Sequence, residues 1–122
     1  MYDRPTPAEI TQACERFFRQ AEGRVLSPAE AYEARVAANA LALVARQDAT
    51  AGEEAAELHR LRVLLGRDGD LAALNDALAQ AIAARSLRID EPAVKAHLWA
   101  TTLAKVAVDQ PSYAAYRAET GT

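Results

Sequence analysis

Apolar residues recur every three to four positions along most of the chain, which is the spacing of one face of an α-helix. The first such stripe consists of Ile10, Ala13, Cys14, Phe17, Phe18 and Ala21. Later stripes consist of Leu58, Leu61 and Leu65, and of Leu71, Leu74, Leu78 and Ile82. The pattern predicts an all-α fold, a bundle of about five helices over residues 6–22, 27–47, 50–65, 70–85 and 90–109.

Polar residues mark where these helices begin and end. The segments "TPAE" (Thr6–Glu9), "SPAE" (Ser27–Glu30) and "TAGE" (Thr50–Glu53) each place a hydroxyl residue three positions before a glutamate. In a capping box the hydroxyl accepts from a free backbone N–H, and the glutamate reaches back to the cap residue. Three capping boxes are therefore expected. Asp90 is the expected cap of the last long helix, and Gly66 is expected to end the third.

The second helix is apolar around almost its whole circumference, yet it contains three polar residues in one row. In "YEARVAANALALVARQ" (Tyr32–Gln47), the residues Arg35, Asn39 and Arg46 fall on one side. Such composition predicts a central, buried helix. Two interpretations of the row stay open: it ties neighbouring helices together through buried hydrogen bonds, or it borders a groove that receives a partner or an anionic ligand.

The last long helix has two apolar sides, which indicates packing against more than one neighbour, in the core or across an interface. Lys105 and Asp109 lie one turn apart on it and are expected to form an exposed ion pair. They join the row of the second helix as candidate contacts for a partner or ligand: Arg35, Asn39, Arg46, Lys105 and Asp109.

Length and charge narrow the class of protein. The 122 residues suit one helical domain spanning residues 1–122. The formal net charge is −3, and the basic residues do not form the stripe that duplex-binding proteins carry. No apolar run approaches the roughly 20 residues of a membrane-spanning helix. The start "MYDRPTPAEI" lacks the features of a signal peptide. The expected location is the cytoplasm, without a nucleic-acid or membrane partner.

No catalytic or metal-binding constellation stands out. Cys14 lies within an apolar stripe and is predicted to be a small buried hydrophobe, not a nucleophile. The chain has only two histidines and no cluster of Cys, His and carboxylate residues at ligand spacing, so the sequence does not indicate a zinc site. Asp68 and Asp70 are better explained by turn and cap chemistry than by a cation site. The sequence therefore predicts a protein that is not an enzyme and that has no cofactor and no metal.

Four segments resemble a family of small bacterial proteins catalogued as a domain of unknown function. They are "YDRPTPAEI", "ARVAANALALV", "LLGRDGDLAALNDAL" and the pattern K-x-x-V-D-Q-P-x-Y from Lys105 to Tyr113, and together they span nearly the whole chain. The core "RVAANAL" is the most distinctive of them. Family members more often have asparagine at the position of Gln110.

The resemblance implies a protein partner. Members of this family occur beside kinases of the aminoglycoside-phosphotransferase type and acyl-CoA dehydrogenases. One branch is similar to the small accessory subunit of the 4-hydroxyacyl-CoA kinase of bacterial levulinate breakdown. By this resemblance the chain is expected to be a non-catalytic accessory subunit that binds and supports such a kinase.

Two alternatives stay open beside the accessory subunit. One is a helical bundle that binds a small ligand or acyl-CoA, with Arg35 and Lys105 meeting its phosphate or carboxylate. The other is a helical scaffold that associates with itself into a homo-oligomer.

Overall fold

The computed structural model describes residues 4–122, and the regular elements within that range are six α-helices. They are α1 (Pro7–Ala21), α2 (Pro28–Asp48), α3 (Ala51–Leu65), α4 (Leu71–Ala83), α5 (Pro92–Asp109) and α6 (Ala114–Thr120). The all-α class is confirmed. The sixth helix follows the five that the sequence predicts, and Gly121 ends it in a left-handed conformation at φ 72°.

The helices divide into two compact units, residues 4–49 and residues 50–122. The first unit contains α1 and α2, and the second contains α3 to α6. One domain spanning residues 1–122 stays a prediction.

Both helices of the first unit begin with the predicted capping box. The Thr6 hydroxyl accepts from the Glu9 amide at 3.3 Å, and the Glu9 carboxylate accepts from the Thr6 amide at 2.6 Å. Ser27 and Glu30 repeat the arrangement at 3.2 and 3.3 Å. Each box satisfies backbone N–H groups that a helix start leaves without a partner.

Small residues form the contact between α1 and α2. Cys14 and Ala37 are buried, at 6% and 8% exposure, and the Cys14 thiol donates to the Ala37 carbonyl across 3.6 Å. The prediction of Cys14 as a small buried residue is confirmed. The prediction of α2 as a buried central helix is wrong, because Ala37 is the buried residue of α2. Within its unit α2 packs against one helix, so a single narrow face is covered.

Leucines form the core of the second unit. Leu61, Leu74 and Leu78 are buried together, and further side chains pack around them: Leu58, Leu64, Leu65, Leu71, Ile82 and Leu87. Helix α3 contacts both α4 and α5. Gly66 ends α3 at φ 63°, as predicted, because a left-handed residue there suits glycine. Asp70 caps α4 by accepting from the Ala73 amide at 2.8 Å.

Two predicted caps of this unit are wrong. Thr50 precedes α3 at φ −105° and ψ 20°, and its side chain makes no cap hydrogen bond. A capping side chain needs an extended backbone at the cap residue, which the short connection from Asp48 to Ala51 does not provide. Asp90 instead pairs with Arg88, at 2.6 Å, and Glu91 occupies the cap position of α5.

Truncating the leucine core is expected to destabilise the protein strongly. Leu61 is 0% exposed, so Leu61→Ala removes buried apolar contacts and should cost about 2–5 kcal/mol of the free energy of unfolding. The matched control is Val63→Ala two residues away, since Val63 is 71% exposed, and its cost should stay within about 0.5 kcal/mol. Urea denaturation of both variants measures the difference. Equal losses would contradict the packing described here.

Candidate functional site

The polar row of α2 lies largely on the surface of the first unit. Arg35 and Asn39 are exposed, and Arg46 is half-buried. The Arg35 guanidinium lies over the Tyr32 ring, with its carbon 5.7 Å from the ring centroid. This distance is within the range of a cation–π interaction. Exposed side chains are already solvated and have no burial cost to offset. The exposure of Arg35 and Asn39 therefore favours the interpretation of the row as a surface for a partner or ligand, and that role stays a prediction.

An apolar groove lies next to this row, between α1 and α2. Its volume is about 490 Å³, and its walls include Ile10, Ala13, Phe17, Tyr32 and Val36. Two of these residues, Tyr32 and Val36, belong to the exposed large hydrophobic side chains of the protein. We call this feature the hairpin groove. Because Arg35 lies over one of its aromatic walls, the groove combines an apolar floor with a cation at its edge.

The predicted contact residues are divided between the two units. Arg35, Asn39 and Arg46 lie on α2, whereas Lys105 and Asp109 lie on α5. Lys105 is half-buried and Asp109 is exposed at the last position of its helix. A shared binding role of all five residues stays a prediction.

Sequence reasoning did not identify the buried polar cluster of the second unit. Glu57 on α3 and His97 on α5 are 5% and 3% exposed. The Asn75 amide of α4 donates to Glu57 at 3.0 Å. Arg60 of α3 donates to the His97 Nδ1 atom at 3.4 Å and to the Thr101 hydroxyl at 3.5 Å. The cluster therefore joins three helices of the unit through polar side chains.

The environment of His97 favours its neutral form. Burial lowers the pKa of His97, and the Arg60 charge lowers it further, although Glu57 acts in the opposite direction. The Arg60 Nε–H group donates to Nδ1, so this nitrogen carries no proton. Protonating the ring would remove that hydrogen bond and place a second cation beside the guanidinium.

The helical spacing of His97 and Glu57 in the sequence is a weak signal of this cluster. On α5, His97 follows Val94 by three residues and precedes Thr101 by four, which places it on the buried side of the helix. On α3, Glu57 is four residues before Leu61. Pairing these residues requires knowing which helices are neighbours, and helical spacing alone does not give that.

A second groove opens beside this cluster, between α3 and α5. Its volume is about 550 Å³. It is lined by two histidines, one arginine and four apolar residues: His59, Arg60, Val63, Leu64, Ala93, Ala96 and His97. We call it the α3–α5 groove. Unlike the hairpin groove, it places a half-buried guanidinium beside apolar walls.

Within residues 4–122 no group of three or more His, Cys, Asp or Glu side chains is arranged to hold a metal ion. None of the described helices is long and apolar enough to cross a membrane.

Comparison with known proteins identifies one family. The family model described as a domain of unknown function, DUF6285, matches residues 24–113, which is more than half of the chain and contains α2 to α5. No curated protein matches the chain, and neither does any solved structure.

The lowered pKa of His97 predicts a loss of stability in mild acid. A histidine with a depressed folded pKa stabilises the protein above its ordinary value of 6.5, and this contribution is lost as the pH falls below it. The free energy of unfolding should therefore decrease between about pH 7.5 and pH 5.5. His97→Gln should reduce this decrease, whereas His59→Gln, which removes an exposed imidazole from the same groove, should retain it. Denaturation at several pH values tests this, and identical profiles for all three proteins would contradict it.

Proposed function

We propose that this chain, which belongs to the DUF6285 family, is a non-catalytic accessory subunit of a kinase of the aminoglycoside-phosphotransferase type. The kinase would act on a hydroxyacyl-CoA in bacterial acid catabolism, as the resemblance of the sequence implies. In this proposal the chain binds the kinase in the cytoplasm and supports its active conformation.

The observation that carries the proposal is the hairpin groove with the exposed row beside it. Tyr and Arg are enriched at protein-binding surfaces. The groove has Tyr32 in its wall and Arg35 over that ring, and its mostly apolar lining also includes the carboxylates of Glu9 and Glu33. Tyr32 is 61% exposed and Val36 is 49% exposed, so both have area to bury against a partner. Arg35 is poised to act as an anchor once the surface is covered.

Such a surface can support a kinase without contributing catalytic groups. A subunit that binds one conformation of the kinase more tightly than others increases the population of that conformation. Covering the hairpin groove would supply the binding free energy through apolar burial. Arg35 and Asn39 would add specificity, because guanidinium and amide groups must meet matched acceptors when they are desolvated.

Self-association is the second candidate, and the same groove favours it. Two copies could cover their apolar walls against each other around a two-fold axis. The two candidates differ in their partner, so they are separated by the mass of the complex. A stable homo-oligomer that does not bind the kinase would favour the scaffold.

Substitutions in the hairpin groove are expected to weaken kinase binding without unfolding the chain. Val36→Glu places a carboxylate in the apolar wall, and Arg35→Ala should cost roughly 2 kcal/mol of association free energy, as a buried arginine anchor would. The matched control for the added charge is Val63→Glu, on the second unit, where the valine is 71% exposed. Melting temperatures of the isolated variants should stay close to that of the original chain.

The measurement is co-purification from the native host followed by titration calorimetry with the retained kinase. A captured protein supports the proposal only if it is a kinase of the named type. Unchanged affinity of Val36→Glu and Arg35→Ala would remove the hairpin groove from the interface. Severe unfolding of Arg35→Ala with unchanged affinity of the folded molecules would instead identify Arg35 as a structural tie.

The isolated chain is expected to have no phosphotransferase, hydrolase or dehydrogenase activity. The reason is that the proposal assigns every reacting group to the kinase. Adding the purified chain to the kinase should raise the turnover of hydroxyacyl-CoA, and the chain alone should show none. Turnover by a preparation proven free of kinase would contradict the accessory role.

A further inference from the structure

We propose that the α3–α5 groove binds a free carboxylic acid with an apolar chain, whose carboxylate pairs with Arg60. This inference concerns a different surface and a different class of partner from the proposed function, and it does not depend on the kinase. It rests on the charge of one half-buried arginine and on the shape and composition of the groove beside it.

Arg60 is a partly buried cation with weak hydrogen-bond partners. Its guanidinium is half-buried, and both acceptors it reaches, the His97 ring and the Thr101 hydroxyl, are neutral groups at 3.4 and 3.5 Å. These distances exceed the usual range of about 2.7–3.2 Å for such bonds. None of the ion pairs between residues of the range 4–122 includes Arg60. The positive charge is thus partly desolvated and forms no direct ion pair with a carboxylate of residues 4–122.

The neighbouring carboxylate is committed elsewhere. Glu57 lies one turn before Arg60 on α3, and its Oε1 atom accepts from the Asn75 amide of α4 at 3.0 Å. Glu57 does not line the α3–α5 groove, whereas Arg60 does. An anion in the groove would therefore approach the guanidinium from the side that no carboxylate of the described chain occupies.

The walls of the groove are mostly apolar. Val63, Leu64, Ala93 and Ala96 line the groove beside Arg60. Its volume of about 550 Å³ lies within the range of small-molecule pockets. An apolar chain laid along these residues would cover Val63, which is otherwise one of the most exposed large hydrophobic side chains. The walls thus select a ligand with an apolar body instead of a bare inorganic anion.

The single guanidinium in the groove favours a ligand with one negative charge. Arg60 is the one permanently charged side chain among the residues that line the groove. A guanidinium matches a carboxylate through two parallel hydrogen bonds and one compensating charge. A phosphate dianion would keep an uncompensated charge there.

The experiment titrates the full chain with octanoate and with octanamide by calorimetry. The two probes share an alkyl chain and differ in charge. Octanoate is expected to bind saturably and roughly tenfold or more tightly than octanamide, as one charge-assisted pair implies. Acetate and inorganic phosphate, which lack the apolar chain, are expected to bind too weakly to saturate.

Arg60→Gln tests the anchor, and Arg67→Gln is its matched control. Both variants remove one positive charge from the second unit, but Arg67 is exposed and does not line this groove. Octanoate affinity should fall roughly tenfold in Arg60→Gln and stay unchanged in Arg67→Gln. The bound carboxylate should also raise the pKa of His97, which NMR titration of the unmodified chain detects without any substitution.

Several outcomes would overturn the proposal. They are no saturable binding of octanoate, equal affinity for octanoate and octanamide, or undiminished affinity in a folded Arg60→Gln variant. If Arg60→Gln does not fold, the comparison of the two probes and the NMR titration on the unmodified chain still decide the matter. None of these results depends on kinase binding, so failure here leaves the proposed function standing and its failure leaves this inference standing.

Discussion

The packing of Leu61 against Leu74 and Leu78 fixes the face that α3 turns toward its neighbours, and the chemistry of the second unit follows from it. Helical periodicity places Glu57 four residues before Leu61 and Arg60 directly before it. Glu57 is thereby buried near Asn75 of α4, while Arg60 is directed to His97 and Thr101 of α5. The leucine packing thus positions two of the charged side chains of α3, Glu57 within the buried cluster and Arg60 beside a groove.

The first unit obeys a different constraint. Alanine lets α1 and α2 approach closely at Cys14 and Ala37, but small side chains bury little apolar area per contact. Two helices also cover only one face of each other. Larger residues next to the contact, among them Tyr32 and Val36, consequently remain solvated as the walls of a groove. The same composition that makes a good helix leaves this hairpin with exposed apolar side chains beside its contact.

Local features of the fold could be predicted from the sequence, and features that depend on tertiary neighbours could not. The boxes at Thr6 and Ser27 formed because their hydrogen bonds lie within four residues. The predicted capping box at Thr50 does not form, because the short connection between two helices sets the backbone conformation of Thr50. The sequence motif does not encode that conformation. Asp90 is not the cap because α5 begins at Pro92, which makes Glu91 the cap residue, and the Asp90 carboxylate pairs with Arg88 instead.

The candidate sites show the same limit. An apolar helix was expected to be buried, yet burial of α2 depends on how many helices surround it, and spacing within α2 cannot report that number. The row of Arg35 and Asn39 could be found from the sequence, but not its exposure. The cluster around His97 combines residues from three helices, so its parts were visible in the sequence while the cluster was not.

The two arginines beside the grooves differ in exposure, and this difference changes how strongly each can interact with an anion. Arg35 is exposed, and water competes with any anion for its guanidinium, so an ion pair there would contribute little until a partner excludes the solvent. Arg60 is half-buried, where the effective dielectric constant is lower and one charge interacts more strongly with another. Under the two proposals, Arg35 would contribute only once a large partner covers its surroundings. Arg60 would interact with a small anion directly, because its half-buried position already excludes part of the competing water.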